Sequence, residues 1–128
     1  MEIIFYKENG DETILEISED FYKWLALSDF SKIQKSTGIE IKTEVEEINI
    51  EAVRLENGIR EKYISFFQTT ILENTYPLIL KLEEKSKTNL LKASSNQNSM
   101  ENIVYKIKKS YEAISYLSKK ENIYMEYL

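Results

Sequence analysis

Residues 49–73 read NIEAVRLENGIREKYISFFQTTILE and form the longest run in the chain whose core-type side chains keep helical spacing. The repeating positions are three or four residues apart and share one helix face: Ala52, Leu55, Ile59, Tyr63, Phe66 and Thr70, with Phe67 and Ile71 beside them. The pattern predicts a helix that begins after an Asn49 cap and buries this face in a core. Gly58 lies in its middle and weakens the helix by about 1 kcal/mol relative to Ala.

The composition is that of one soluble globular domain. The chain has 128 residues, of which 42% are hydrophobic and 30% are charged. A chain of this length can bury a core without disulfides or metal, so we predict a single domain over residues 1–128. Cysteine and histidine are both absent. Because imidazole and thiolate are the commonest general bases and transition-metal ligands, we expect no catalytic residues, no metal site and no cofactor.

The charge and the start of the chain limit the partners. No basic segment followed by an apolar one opens the sequence, and no apolar run approaches the roughly eighteen residues of a membrane helix. We therefore expect a cytoplasmic protein without membrane contact. The formal net charge of -5 argues against direct binding to nucleic acid, which depends on Lys and Arg displacing counterions from phosphates.

The flanking segments predict a small sheet and further helices. Residues 2–17 predict a hairpin around Asn9-Gly10 in which Ile4 faces Leu15. Ser18 then caps a short or broken helical stretch, and residues 39–46 alternate as an edge strand or an extended linker. The rest of the chain predicts, in order, a helix over residues 78–92 (or a strand over 78–82), a surface loop over 93–98, a helix capped at residue 98, and a strand over 123–128. The sequence therefore predicts an α+β fold: a small antiparallel sheet, made of the N-terminal hairpin and the C-terminal strand, packed with three to four helices.

Carboxylates between residues 40 and 61 are the first candidate for contact with a partner. The side chains concerned are Glu40, Glu44, Glu47 and Glu51. A solvated surface is the ordinary explanation of such a cluster, and a docking surface for a basic protein is the functional one. A calcium loop would need alternating Asp or Asn residues around a central Gly, and that pattern is missing.

Tyrosine is the second candidate, because tyrosine side chains are enriched at the energetic centres of protein interfaces. The chain has nine tyrosines, and five of them lie in its last quarter. Tyr111 fits the core face of the last helix. The others predict an exposed aromatic patch, and they are Tyr105, Tyr116, Tyr124 and Tyr127. A stacking platform for single-stranded nucleic acid, with nearby lysines as its basic groove, is the competing use.

The order of elements resembles small cytoplasmic immunity proteins that neutralise bacterial polymorphic or contact-dependent toxins. The resemblance is carried by the opening EIIFYKENGDETILEIS (residues 2–18) and the closing IVYKIKKSYEAISYLSKKENIYMEYL (residues 103–128). It implies a non-enzymatic, stoichiometric inhibitor that covers a basic toxin or nuclease domain with an acidic and aromatic surface. Three alternatives stay open: a phage-encoded inhibitor of a host defence nuclease, a structural subunit that self-associates through the final helix and strand, and a small carboxylate-dependent enzyme. The sequence does not decide between a monomer and a homodimer.

Overall fold

Five strands and three helices make up the described part of the chain, and the predicted α+β fold is confirmed. The computed structural model describes residues 1–87 and 90–127, with the side chains of residues 1–84 and 100–127. In chain order the elements are β1 (Glu2–Lys7), β2 (Glu12–Glu16), α1 (Glu19–Leu27), a 3₁₀ turn (Asp29–Lys32), β3 (Thr37–Lys42), β4 (Glu47–Arg54), α2 (Ile59–Lys87), α3 (Leu90–Leu117) and β5 (Asn122–Tyr127).

The sheet has the order β2-β1-β5-β4-β3, with antiparallel pairing throughout. The terminal strand β5 lies beside β1, as predicted, and its other edge pairs with β4 through Val53 and Arg54. β3 is an edge strand, which was one of the two alternatives for residues 39–46. The sheet is therefore larger than the predicted one, because β3 and β4 join the N-terminal hairpin and the terminal strand.

The N-terminal hairpin has a different register from the predicted one. Ile4 lies opposite Ile14, so its predicted pairing with Leu15 is wrong. The cause is the loop, which contains three residues in place of two. The Gly10 N–H donates to the Lys7 carbonyl at 3.0 Å, and Gly10 has a φ of 92°. This left-handed glycine is typical of a hairpin whose turn is followed by a bulge, and it shifts every pair by one residue.

The helix predicted from residue 49 begins ten residues later. Residues 47–54 form β4, so Asn49 is a strand residue and caps nothing. The left-handed pair Asn57 and Gly58, with φ of 55° and 84°, separates this strand from α2. α2 then continues through Pro77, where the sequence predicted a new helix. Leu78–Leu82 is therefore helical, and α2 is a single helix of 29 residues.

The last long helix also begins earlier than predicted. α3 starts at Leu90, so the loop predicted over residues 93–98 and the cap predicted at Asn98 are both wrong. Extending an existing helix adds one hydrogen bond for each residue that becomes ordered, which offsets the poor helix propensity of the four Ser and Asn residues in this segment. The part of the predicted 78–92 helix at residues 88–89 lies outside the described residues, as does residue 128 of the predicted strand.

Strand alternation divides the buried side chains into two clusters on opposite faces of the sheet. The helix-side cluster contains Ile3, Phe5, Leu15, Ile17, Phe21, Leu25, Phe30, Val53, Leu55, Tyr63, Phe67, Ala113, Leu117 and Met125. The second cluster contains Ile4, Tyr6, Ile39, Ile41 and Ala52. Both faces of β1 are thus covered, by the helices on one side and by the β3–β4 hairpin on the other.

Two aromatic side chains differ from their predicted burial. Tyr111 is 60% exposed, although its spacing placed it on the core face of the last helix. Phe67 is completely buried, whereas its neighbour Phe66 is only half-buried at the edge of the helix-side cluster. None of the helices in the described part of the chain combines the length and the apolar character that a membrane crossing needs.

Candidate functional site

The β3–β4 hairpin gathers the predicted carboxylates on its outward side. The two strands pair so that Glu40, Glu47 and Glu51 share one face, while the alternate isoleucines turn inward. Glu44 follows in the connecting turn, and all four carboxylates are exposed. We call these four residues the acidic face. The structure thus brings this half of the predicted site together.

Glu40 and Glu47 are in direct contact on the acidic face. They are diagonal neighbours across the hairpin, a separation that long side chains can span. A hydrogen bond between the two carboxyl groups, together with the negative charge of Glu40, raises the pKa of Glu47. Lys42 is the direct cross-strand partner of Glu47, but no ion pair joins either carboxylate to a cation among the described side chains. The face therefore holds two like charges in contact, and Lys42 beside them forms no close ion pair with either.

The turn between β3 and β4 is held by the side chain of Thr43. Its hydroxyl donates to the Glu46 carbonyl at 2.8 Å, and it accepts from the N–H groups of Val45 at 3.3 Å and Glu46 at 3.0 Å. The Thr43 N–H also donates to the Glu46 carbonyl at 2.9 Å. These bonds fix the conformation of a turn whose outermost side chain, Val45, is 93% exposed. The tip of the hairpin is thus an ordered, protruding element.

The inward side of the hairpin fixes the direction of the acidic face. Ile39, Ile41 and Ala52 are buried against Ile4 and Tyr6 of β1. Burial of such side chains contributes about 1.5 to 3 kcal/mol for each large aliphatic group. The carboxylates therefore stand on a packed support and not on a loose arm.

A polar contact lies under the same cluster. The Tyr6 hydroxyl donates to Oε1 of Glu126 at 2.9 Å. Burial, followed by this hydrogen bond and the charge of Glu126, raises the pKa of Tyr6, so the phenol stays protonated and keeps its role as donor. The contact joins β1 to β5 beneath the hairpin.

Tyr105 and Tyr116 lie about three turns apart on α3 and both face inward. The Tyr105 hydroxyl accepts a hydrogen bond from the Ser18 N–H at 2.8 Å, and its ring meets Phe21 edge-on with centroids 5.8 Å apart. Tyr116 packs on Phe5 with centroids 5.5 Å apart. Both tyrosines are half-buried and contact the helix-side cluster.

Tyr124 and Tyr127 lie on opposite faces of β5, because successive side chains of a strand alternate. Tyr127 packs edge-on against Phe30 with centroids 5.2 Å apart. Tyr124 contacts the second cluster, and the guanidinium of Arg54 lies 5.5 Å from its ring centroid. Both are half-buried. The four predicted tyrosines therefore do not form one continuous patch.

Two surfaces were missed from the sequence. One is a cleft between α1 and α3 around Trp24 and Lys106. The other is an apolar stripe on the outer side of α2, formed by Leu72, Tyr76 and Leu80, which are 74%, 66% and 41% exposed. The spacing of the stripe residues is helical and was visible in the sequence. Their exposure was not, because it depends on where α3 and the sheet cover α2.

The described side chains form neither a metal cluster nor an enclosed pocket on the hairpin. Within residues 1–87 and 90–127, no group of three or more acidic, His or Cys side chains is placed to hold a metal ion. Glu40 and Glu51 line an open cleft of about 370 Å³ along the hairpin, and Glu47, whose pKa is raised, is not part of its lining. The geometry of the hairpin resembles a contact surface more than an enclosed reaction site.

Comparisons of the chain with protein-family models, with curated proteins and with solved structures found no match.

Proposed function

We propose that this protein binds a basic protein domain through the acidic face and inhibits it by occlusion, as a toxin-immunity protein does. The observation that carries the proposal is the contact between Glu40 and Glu47. Two carboxyl groups meet on a fully solvent-exposed surface, and the pKa of Glu47 is raised as a result. A Lys or Arg side chain of a partner placed between them would relieve the repulsion and lower the pKa of Glu47 again.

The β3–β4 hairpin is held in a fixed conformation, which favours tight binding of a partner. Its inner face is packed on β1, and its turn is fixed by the bonds of Thr43. Little conformational freedom is then lost on binding, which leaves more of the interaction free energy for affinity. The exposed Val45 at the tip of the hairpin would provide apolar contact at one end of an otherwise charged surface.

The negative charge predicts fast, salt-dependent association with a basic partner. The net charge of -5 and the clustered carboxylates would accelerate the encounter with a positively charged domain. Steering of this kind weakens as salt screens the charges, with a Debye length of about 10 Å at 0.1 M ionic strength. The proposal places the protein in the cytoplasm, and the same surface would serve a phage inhibitor of a basic defence nuclease.

The test compares two variants that each remove three negative charges. Glu40→Gln, Glu47→Gln and Glu51→Gln together neutralise three carboxylates of the acidic face. As the control, Glu16→Gln, Glu61→Gln and Glu73→Gln together neutralise exposed carboxylates at the end of β2 and on α2. Association rates are measured by stopped flow against a panel of basic toxin nuclease domains at several salt concentrations.

We expect the acidic-face variant to associate at least tenfold more slowly at low salt with the domain that binds. The control variant should stay within twofold of the natural chain, because its charges lie away from the contact. Equal slowing of the two variants, or no binding to any domain of the panel, would contradict the proposal.

Self-association is a second candidate, and one observation favours it. The stripe of Leu72, Tyr76 and Leu80 is a contiguous exposed apolar surface on α2, and such surfaces mark contact sites. The sequence predicted self-association through the final helix and strand. Both edges of β5 already pair within the chain, so this surface on α2 is a different contact site. Sedimentation velocity at several concentrations decides, and a Leu72→Glu variant that remains monomeric where the natural chain dimerises would support it.

A further inference from the structure

An aromatic cleft lies between the first turns of α1 and the middle of α3. Its volume is about 520 Å³, which is within the range of small ligand sites. The walls are Phe21, Trp24 and Tyr105, and charged or polar groups surround the opening. The polar lining residues are Ser18, Asp20, Glu101, Asn102 and Lys106.

The aromatic walls are fixed before any ligand arrives. Phe21 contacts Trp24 and Tyr105 with centroids 5.3 Å and 5.8 Å apart, and Trp24 also packs on Phe66 at 5.7 Å. The hydroxyl of Tyr105 accepts from the Ser18 N–H at 2.8 Å, which orients its ring. A ligand would therefore meet a preorganised surface and not one that must collapse around it.

The rings of the cleft already attract cations within the chain. The ammonium of Lys106 lies 4.7 Å from the Trp24 centroid, and that of Lys109 lies 5.6 Å from the Tyr105 centroid. Both distances fall within the range of favourable cation–π contact. The faces of the two rings are thus accessible to positive charge, and Lys106 occupies the place that an external cation would take.

The carboxylates of the cleft favour a cation over an anion. Asp20 and Glu101 both line it, and Asp20 has no ion pair among the described side chains. A guanidinium group matches this combination better than an ammonium group, because it is planar, stacks on aromatic faces and binds carboxylates through two parallel N–H groups.

We propose that this cleft binds an arginine side chain of a partner protein, with the guanidinium stacked on Trp24 in place of Lys106 and paired with Asp20. The site shares no residue with the acidic face, so it extends the recognition of a basic partner to a second, separate position. Its test below does not depend on whether the acidic face binds a toxin.

The experiment uses the intrinsic fluorescence of Trp24, which is the only tryptophan of the chain. Hexa-arginine and hexa-lysine peptides, which carry equal charge, are titrated into the full chain at fixed ionic strength. We expect a saturable change in emission, with at least fivefold tighter binding of hexa-arginine. No emission change, or equal affinity for the two peptides, would overturn the proposal.

Two variants should move the hexa-arginine affinity in opposite directions. Asp20→Asn should weaken it at least threefold, because the paired carboxylate is lost, and circular dichroism checks that the fold persists. Lys106→Met should strengthen it at least threefold, because the ring of Trp24 is freed. Lys108→Met removes the same charge from an exposed position on α3 and should change the affinity less than twofold.

The acidic face supplies the last control. Glu40→Gln with Glu47→Gln should leave the Trp24 titration within twofold of the natural chain. If this pair of changes weakens the titration as much as Asp20→Asn does, the signal reports general charge attraction and the cleft proposal fails. Loss of toxin-domain binding with an unchanged Trp24 titration would instead affect the acidic face alone.

Discussion

The substitution Gly10→Ala tests whether the β3–β4 hairpin packs on the N-terminal turn as the structure describes. Gly10 has a φ of 92°, and a Cβ built on it lies 2.8 Å from Cγ2 of Thr43. Gly58 has a similar φ of 84°, but no atom lies within 4 Å of a Cβ at that position. The two glycines therefore share the backbone strain and differ in the steric contact.

The expected losses of stability follow from the backbone strain and the steric contact. Gly58→Ala should lower the free energy of unfolding by about 1 to 2 kcal/mol, the cost of a left-handed conformation for an L-residue. Gly10→Ala should lose a further 1 to 3 kcal/mol, roughly the cost of overpacking. Thr43 cannot turn away cheaply, because its hydroxyl bonds to the backbone of Glu46 and so fixes its rotamer.

The assay is urea denaturation followed by circular dichroism, with midpoints compared at unchanged m-values. The double variant Gly10→Ala with Thr43→Ser deletes the obstructing methyl group and keeps the hydroxyl, so it should recover most of the additional loss. If Gly10→Ala costs no more than Gly58→Ala, the hairpin does not contact the turn at this point, and the fixed direction of the acidic face is refuted.

Three further predictions concern the core, the anchoring of α2 by Arg60, and the acidic face. Phe67→Ala should lower the free energy of unfolding, measured by urea denaturation, by about 3 to 5 kcal/mol. Phe66→Ala should lower it clearly less, because only Phe67 is completely buried. Arg60→Met should lower the free energy of unfolding by about 1.5 to 3 kcal/mol in the same urea assay, because the guanidinium donates hydrogen bonds to the carbonyls at positions 117, 119 and 122. Arg60→Lys should recover only part of this loss, because an ammonium group cannot reproduce all three hydrogen bonds. The raised pKa of Glu47 stabilises the fold below its unfolded-state pKa, and this contribution is lost as pH rises through the folded-state pKa. Glu47→Gln should therefore flatten the decline in melting temperature above pH 4.5, and an unchanged pH profile would contradict the Glu40–Glu47 contact.

Elements with local signals were predictable from the sequence. Ser18 caps α1 as expected, accepting a hydrogen bond from the Phe21 N–H at 3.1 Å. The break after α1 follows from Ser28, whose hydroxyl donates to the Leu25 carbonyl and accepts from the Phe30 N–H. Each of these contacts joins residues close in sequence, so a single segment contains enough information to specify it.

The segment from residue 47 to 58 shows why the rest of the fold was not predictable in the same way. Ala52 and Leu55 fit a helical period, but Ile48, Ile50 and Ala52 also alternate as a strand does. The choice depends on Ile4 and Tyr6, which are far away in sequence and cover the strand's inner face. Short apolar runs of this kind are decided by tertiary packing.

In the candidate site, too, some features were predictable from local sequence and others depended on tertiary pairing. Exposure of Glu40 and Glu44 followed from the alternation over residues 39–46, which is a local pattern, whereas Glu51 lies in a segment that was predicted to be helical. The contact between Glu40 and Glu47 did not, because it requires the register of β3 on β4. For the tyrosines the sequence did contain a usable signal: positions 105 and 116 repeat after about three helical turns and so share a side of α3. They lie beside the face that holds Ala113 and Leu117 in the core, which is why they are only half-buried.

Repulsion between carboxylates of the acidic face destabilises the β3–β4 hairpin, and retaining such a destabilising contact favours a functional role for it. A surface needed only for solubility gains nothing from two carboxyl groups in contact, since the same charges spread apart would repel less. Here the register that buries Ile39 and Ile41 also forces Glu40 towards Glu47, so the packing of the inner face sustains the repulsion on the outer one. Stability given up at a rigid, exposed and preorganised position is typical of binding sites, where the partner supplies the missing charge. The Trp24 cleft differs in this respect, because its Lys106–Trp24 contact is itself favourable and the proposed arginine would have to displace it.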